Sequence, residues 1–155
     1  MNKKDLSQKL KNQNIEDFDI LVAPPAPVGN YVAVKKVGNL AYISGQMPIA
    51  SSGTVLTKNE SDSVNFGYAA SKLAMANILK QLIYCTDIEE VYSIVRVDGY
   101  FNNKKGNDLA KMLDGASDLI SNILGKEGTH ARTVFSVHSL PYDAFLEIVV
   151  IAEIK

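Results

Sequence analysis

The chain has 155 residues, 46% hydrophobic and 21% charged, which suits one soluble globular domain large enough for a real core. Sixteen Lys and Arg against seventeen Asp and Glu leave a net charge of −1, so no electrostatic funnel exists for nucleic acid or an anionic membrane. The single cysteine, Cys85, excludes an intrachain disulfide and reads as an idle thiol.

The N-terminal stretch MNKKDLSQKLKNQN lacks the apolar centre of a signal peptide. Only Leu6 and Leu10, at i and i+4, interrupt its polarity, so a short, weak helix is the most it predicts. The segment APPAPVGN follows; Pro24, Pro25 and Pro27 remove donors and fix φ, making it a linker. Tyr31 to Val37 and Leu40 to Ser44 then predict two strands about the Gly38-Asn39 turn. The second runs into Ser44-Gly45-Gln46, where glycine permits close backbone approach and Ser44 offers a hydroxyl beside a free amide. Alone, that tripeptide is weak support for a site.

Ile49 to Lys58 reads as a loop. From Ser63 to Tyr84 the apolar residues Val64, Tyr68, Met75, Leu79 and Leu82 fall on one helical stripe, with Ser61, Asp62 or Ser63 as candidate caps. Val91 to Phe101 alternates and predicts a strand. A second helix is expected to start at Asn107 or Asp108, present Leu109, Leu113, Ala116, Ile120 and Ile123, and stop at Gly125. Gly115 inside it weakens the helix by about 1 kcal/mol relative to Ala, pointing to tight packing or a nearby ligand.

His130 to Ile154 predicts two strands joined by a short turn around Pro141. Arg132, Val134 and Ser136 alternate with Thr133, Phe135 and Val137, while Ala144 to Ile154 is apolar enough for a central strand covered on both faces. Arg132 and Glu147 interrupt this apolar ground, so each needs a partner, a ligand or water. From spacing alone, a structural Arg132–Glu147 ion pair, or an arginine that simply sits at a strand end, explains them better than a site does. The order ββαβαββ predicts an α+β sheet with both helices on one face. The bare opposite face, too apolar for water, calls for an oligomer. His130 and His138 fit no metal-ligand spacing, and the run around Glu147 is too short and charged to span a bilayer. A cytoplasmic setting without membrane contact is expected.

Three stretches carry a resemblance: GNYV at Gly29 to Val32, AYISGQMP at Ala41 to Pro48, and HARTVFSV…LP…LEIVVIA at His130 to Ala152. Together they resemble the RidA/YjgF/YER057c/UK114 family over almost the whole chain, in its longer branch. Residues 27–155 would be the family domain and 1–26 an extension with its Pro-rich linker. The resemblance implies chorismate-mutase-like subunits with a mixed sheet, a homotrimer, sites in the clefts between subunits, and no metal or organic cofactor. It also implies hydrolysis of enamines and 2-imino acids, such as 2-aminoacrylate, to 2-keto acids and ammonia.

Carried over, Arg132 matches the arginine gripping the substrate carboxylate and Glu147 the glutamate ordering the attacking water. Tyr31, Ser44 and Gly45 match pocket-lining residues. Val134 stands where the deaminases often have cysteine, and Asp114 where they have a pocket asparagine. A carboxylate at Asp114 would repel an anionic substrate unless protonated or turned away. Two other readings stand beside the deaminase: a non-catalytic trimer holding a keto acid or similar anion, and an endoribonuclease, which the balanced charge disfavours.

Overall fold

Alternating apolar residues and turn-forming glycine set up the sheet. In the computed structural model, which describes residues 1–58, 63–103 and 108–155, Gly38 takes φ +59° in a tight turn between β1 (Val34–Val37) and β2 (Leu40–Gln46). β3 (Val91–Phe101), β4 (Ala131–Ser136) and β5 (Leu146–Ile154) complete a five-stranded sheet of order β1-β2-β5-β3-β4. β3 and β4 are parallel and every other neighbouring pair is antiparallel, so the sheet is mixed and the fold α+β. β1 starts three residues later than expected. Tyr31 N–H closes a tight turn onto Gly29 C=O, and Ala33 C=O accepts from Ser44 N–H before the regular ladder begins.

The last two strands are not a hairpin. β5 is the central strand, as its composition indicates, but β3 lies between it and β4. Residues 137–145 instead pass around the end of β3: Val137 N–H donates to Phe101 C=O, and Asn102 N–H donates to Phe145 C=O. Tyr142 and Asp143, both at positive φ in the short 3-10 turn Pro141–Asp143, reverse the chain there. A Pro-containing connection between two strand-like runs looks locally like a hairpin, and only the third strand reveals otherwise.

Helices α2 (Val64–Tyr84) and α3 (Leu109–Leu124) cover one face of the sheet. Ser63 caps α2 by accepting from Phe66 N–H; the other candidate caps, Ser61 and Asp62, lie outside the described residues, as does Asn107. Asp108 occupies the N-cap position of α3 without a side-chain cap bond. α2 is buried over more than the expected stripe, because the first residues of the chain cover it as well. They form a nine-residue helix, α1 (Lys3–Lys11), and bury Leu6 and Leu10 in the common core. The following segment is tied to α2 by side chains. Lys80, only 2% exposed, donates to Asp19 C=O at 2.7 Å with its ammonium 4.2 Å from the Phe18 ring centroid. Burial pushes that amine below the ordinary lysine range. Gln81 Nε2 donates to Pro25 C=O at 2.8 Å, and the Tyr84 hydroxyl lies 3.2 Å from Ile20 C=O.

Where α2 crosses α3, two glycines and a serine bring the backbones together. A Cβ on Gly115 would collide with Tyr68 C=O, and one on Gly67 with the Met112 side chain. The buried Ser71 hydroxyl donates to Met112 C=O at 2.6 Å and accepts from Ala116 N–H at 3.1 Å, bridging an i, i+4 pair of α3. Gly115 is thus explained by packing. Replacing it with Ala gains about 1 kcal/mol of helix propensity. Overpacking against a backbone that cannot yield costs about 2–3 kcal/mol. Gly115→Ala should therefore lower the urea midpoint of unfolding, whereas an exposed mid-helix Gly→Ala change would raise it.

Candidate functional site

The Ser44-Gly45 step of β2 is a β-bulge. Ile43 faces Val150 and Gln46 faces Ile148, so Ser44 and Gly45 together oppose Val149. The bulge opens room for one side chain: the Glu147 carboxylate lies where a Cβ on Gly45 would stand. Any larger residue at 45 would evict that carboxylate. The Ser44 hydroxyl is turned away from it, donating to Val32 C=O at 2.7 Å, which fastens the entry to β1. Tyr31, 50% exposed, stands over the mouth of a cavity of about 260 Å³ walled by Pro27, Val28, Gly45, Met47, Val55 and Tyr142. The Glu147 carboxylate makes no hydrogen bond or ion pair among the described residues, and desolvation raises its pKa above the ordinary glutamate value.

Arg132 sits elsewhere. It pairs with Val97 on β3 and points to the helix face, whereas Glu147 pairs with Tyr100, three residues further along β3, and points to the open face. The Arg132–Glu147 ion pair that spacing allowed does not form. Arg132 Nη1 instead donates to Asp114 Oδ1 at 2.8 Å and to Ser117 Oγ at 3.1 Å, while Nη2 donates to Ala110 C=O at 3.1 Å. Asp114 is thus neither isolated nor turned away. Val134, two residues on, faces the same way and packs its side chain against the core.

Sequence reasoning missed Ser117 and the orientation of His130. His130 Nδ1 lies 2.7 Å from Gly128 C=O and donates to it, so in the neutral ring Nε2 is the acceptor that faces the Ser117 hydroxyl at 3.0 Å. Ser117 therefore receives a hydrogen bond from Arg132 and passes one to His130. The only signal was helical spacing: Ala110, Asp114 and Ser117 share one face of α3. Tyr142 was missed too, because its place in the cavity wall depends on the turn at the end of β3.

A bulge-seated glutamate on one sheet face and an arginine held at the edge strand on the other form a divided arrangement on an α+β mixed sheet. Comparison with known proteins identifies the family of the chain. A family model described as "YjgF/chorismate_mutase-like, putative endoribonuclease" matches residues 18–154. The chain belongs to the YjgF/RidA/RutC family. Protein TCP17 of Trypanosoma cruzi is 30% identical over 140 residues, covering 87% of this chain and 88% of that protein. Among solved structures, the Agrobacterium tumefaciens protein Atu1372, of unknown function, has a TM-score of 0.83 at 28% identity, covering 99% of this chain and 94% of its own. Escherichia coli TdcF with bound serine has a TM-score of 0.65 at 20% identity, covering 84% of this chain and 93% of its own, a likeness of fold. The chorismate-mutase-like α+β fold expected from the resemblance is the one observed. Among the described residues, no helix is long and apolar enough to cross a membrane.

Glu147 gives this YjgF-family site a measurable signature. A carboxyl whose pKa is raised in the fold stabilises it below the ordinary carboxylate range, and that contribution is lost as pH rises through the raised value. Glu147→Gln cannot ionise and escapes the loss. The variant should match wild type in urea unfolding near pH ~4 and exceed it near pH ~8. A wild type more stable than the variant at the higher pH would contradict the desolvated carboxylate.

Proposed function

We propose that this protein hydrolyses reactive imines and enamines to carbonyl compounds and ammonia, as a homotrimer with its sites in the clefts between subunits. The division of the site carries this reading. Glu147, Gly45, Ser44 and Tyr31 form one half on β2, β5 and the segment before β1, and Arg132, Asp114 and Val134 form the other at β4 and α3. Neither half encloses a ligand by itself, and a second copy supplies what the first lacks. The open sheet face offers the surface for assembly. Tyr42, Tyr92, Val95 and Phe135 are exposed there, with Val149 and Ile151 between them.

The chemistry asks little of the protein. An imine carbon is already electrophilic, so a positioned water and a mild base suffice. Glu147 orients the water and takes its proton as the oxygen bonds to carbon. The C–N bond then breaks, its electron pair passes to nitrogen, and the nitrogen collects protons and leaves as ammonia. A carboxyl with its pKa raised toward neutrality is better matched to accepting and returning that proton than an exposed one. Tyr31 and Gly45 line the near wall, and Ser44 fastens it through Val32 C=O. Arg132 and Asp114 make the polar far wall, where Val134 contributes backbone and no thiol.

A second reading is a trimer that binds a metabolite without turning it over: Arg132 is paired with Asp114, Ser117 and Ala110 C=O of its own chain, which leaves its Nε–H and one Nη2–H to hold an anion. The endoribonuclease of the family description has no such support, since a net charge of −1 supplies little for phosphate.

Subunit mixing tests the deaminase reading. Sedimentation should give a mass near three times 16.9 kDa. Glu147→Gln and Arg132→Ala should each depress ammonia release from imines made in situ, the former by about 10²–10⁴-fold. Co-assembling the two inactive variants at equal amounts should restore about a quarter of the sites (one half times one half), since one interface in four pairs an intact Glu147 with an intact Arg132. A monomer, or mixed trimers as inactive as their parents, would overturn the intersubunit site. A wild type without turnover on any imine would leave the binding trimer.

A further inference from the structure

Arg132 reaches the site from an edge strand on a long, rotatable side chain, so something has to choose where its donors face. Three acceptors of α3 do so. Ala110 C=O, the Asp114 carboxylate and the Ser117 hydroxyl stand at i, i+4 and i+7 on one helix face and take one N–H each. Nη1 is spent on Asp114 and Ser117, and one Nη2–H on Ala110. Of the five donors of a guanidinium, Nε–H and the second Nη2–H stay open among the described residues. Those two nitrogens define the edge opposite Nη1, an edge of the kind a carboxylate pairs with.

Of the three acceptors only Ser117 is also a donor, so its help is conditional. With its proton turned toward Arg132 the hydroxyl would oppose Nη1; with the proton turned away it accepts. The neighbour that turns it away is His130. Nδ1 of that ring donates to Gly128 C=O at 2.7 Å, which leaves Nε2 of the neutral ring an acceptor 3.0 Å from Ser117 Oγ. The donors then run one way, from Arg132 to Ser117 to His130 to Gly128, each bond polarising the next. The far end is fixed as well. A Cβ on Gly128 would stand 2.6 Å from Ile120 C=O, so this glycine lies against the backbone of α3 about one turn beyond Ser117. One imidazole thus ties the 3-10 turn Gly125–Gly128 and the start of β4 back to the helix that holds the arginine.

From this one-way chain we infer that Ser117 and His130 are positioning residues of the site. They keep the Nη1 side of Arg132 against α3, so that the Nε–Nη2 edge is already turned to the anionic group of a ligand. His130 acts through Ser117, and what it supplies is the direction of the serine hydroxyl. The inference rests on the reading in which Arg132 holds the ligand, whether that ligand is hydrolysed or only bound, and adds how the arginine is aimed. A guanidinium held in place beforehand loses less freedom on binding. The chain therefore acts on ligand affinity and KM, and leaves the proton transfers at Glu147 alone.

Two replacements at His130 separate this role from packing. His130→Gln keeps an acceptor at the ε position for Ser117 and gives up the δ donor; His130→Asn does the reverse. Kinetics use the imino acid that an amino-acid oxidase makes from leucine, read by semicarbazide competition, and calorimetry uses the matching 2-keto acid. Ser117→Ala and His130→Asn should each raise KM and the keto-acid Kd about tenfold, with kcat changed by about twofold or less. His130→Gln should stay near wild type. The double variant Ser117→Ala/His130→Asn should be no worse than Ser117→Ala alone, since both changes break one chain. Should His130→Asn fail to fold, Ser117→Ala against Ser117→Thr, which keeps the hydroxyl, makes the same comparison. Equal losses in the Asn and Gln variants, or unchanged KM and Kd in Ser117→Ala, overturn the inference and leave Arg132 as the ligand's holder. An Arg132→Ala protein that binds the keto acid as wild type does brings down the reading beneath it, and the inference with it. Without turnover in wild type the hydrolase falls, and calorimetry decides the inference on the same variants. A wild type that neither turns over the imino acid nor binds the keto acid overturns both.

Discussion

One buried hydroxyl governs how α3 presents Asp114 and Ser117 to Arg132. Ser71 of α2 bridges a carbonyl and an amide one turn apart in α3, and it can reach them only because Gly115 lets the two helices touch through backbone. A hydrogen bond of this kind, wholly removed from water, fixes axial position and rotation together, since any slip would leave buried polar atoms unpaired. Asp114 and Ser117 flank that contact by one or two residues. Their presentation to Arg132 is therefore a property of the helix crossing, and the pairing of Arg132 with Asp114 is decided in the core.

The near half answers to a different constraint, that of the sheet. Glu147 lies on the most central strand, where an acid would ordinarily be excluded. It is accommodated because the neighbouring strand carries an extra residue and a glycine at the same level. The bulge and the acid are thus one feature written on two strands about a hundred residues apart. Strand order makes it possible, since β5 must sit beside β2 for the two to meet.

Much of this was legible in the sequence because it is local. Gly38-Asn39 marks its turn, the periodicities of α3 and β3 mark their elements, and the final apolar run announces a central strand. The illegible parts are those in which separated segments choose one another. Residues 130–154 read as a hairpin because each strand is correct and only the intervening partner is missing from view. Arg132 and Glu147 look like a natural pair at a short spacing, yet strand parity puts them on opposite faces. Arg132 finds Asp114, a partner on a helix whose position over β4 no local pattern states. Lys80 is the plainest case: a lysine in a helical run reads as solvent-facing, and its burial follows only once the preceding segment folds over it.

That folding-over has a consequence for how the protein could change. Lys80, Gln81 and Tyr84 of α2 hold the backbone of the segment that becomes one wall of the cavity beside Gly45. The wall's position is thereby written in a helix that lends the cavity no side chain. Substitutions there would move the wall while leaving Glu147 and Arg132 in place, so the shape of the cavity can drift under selection independently of those two side chains.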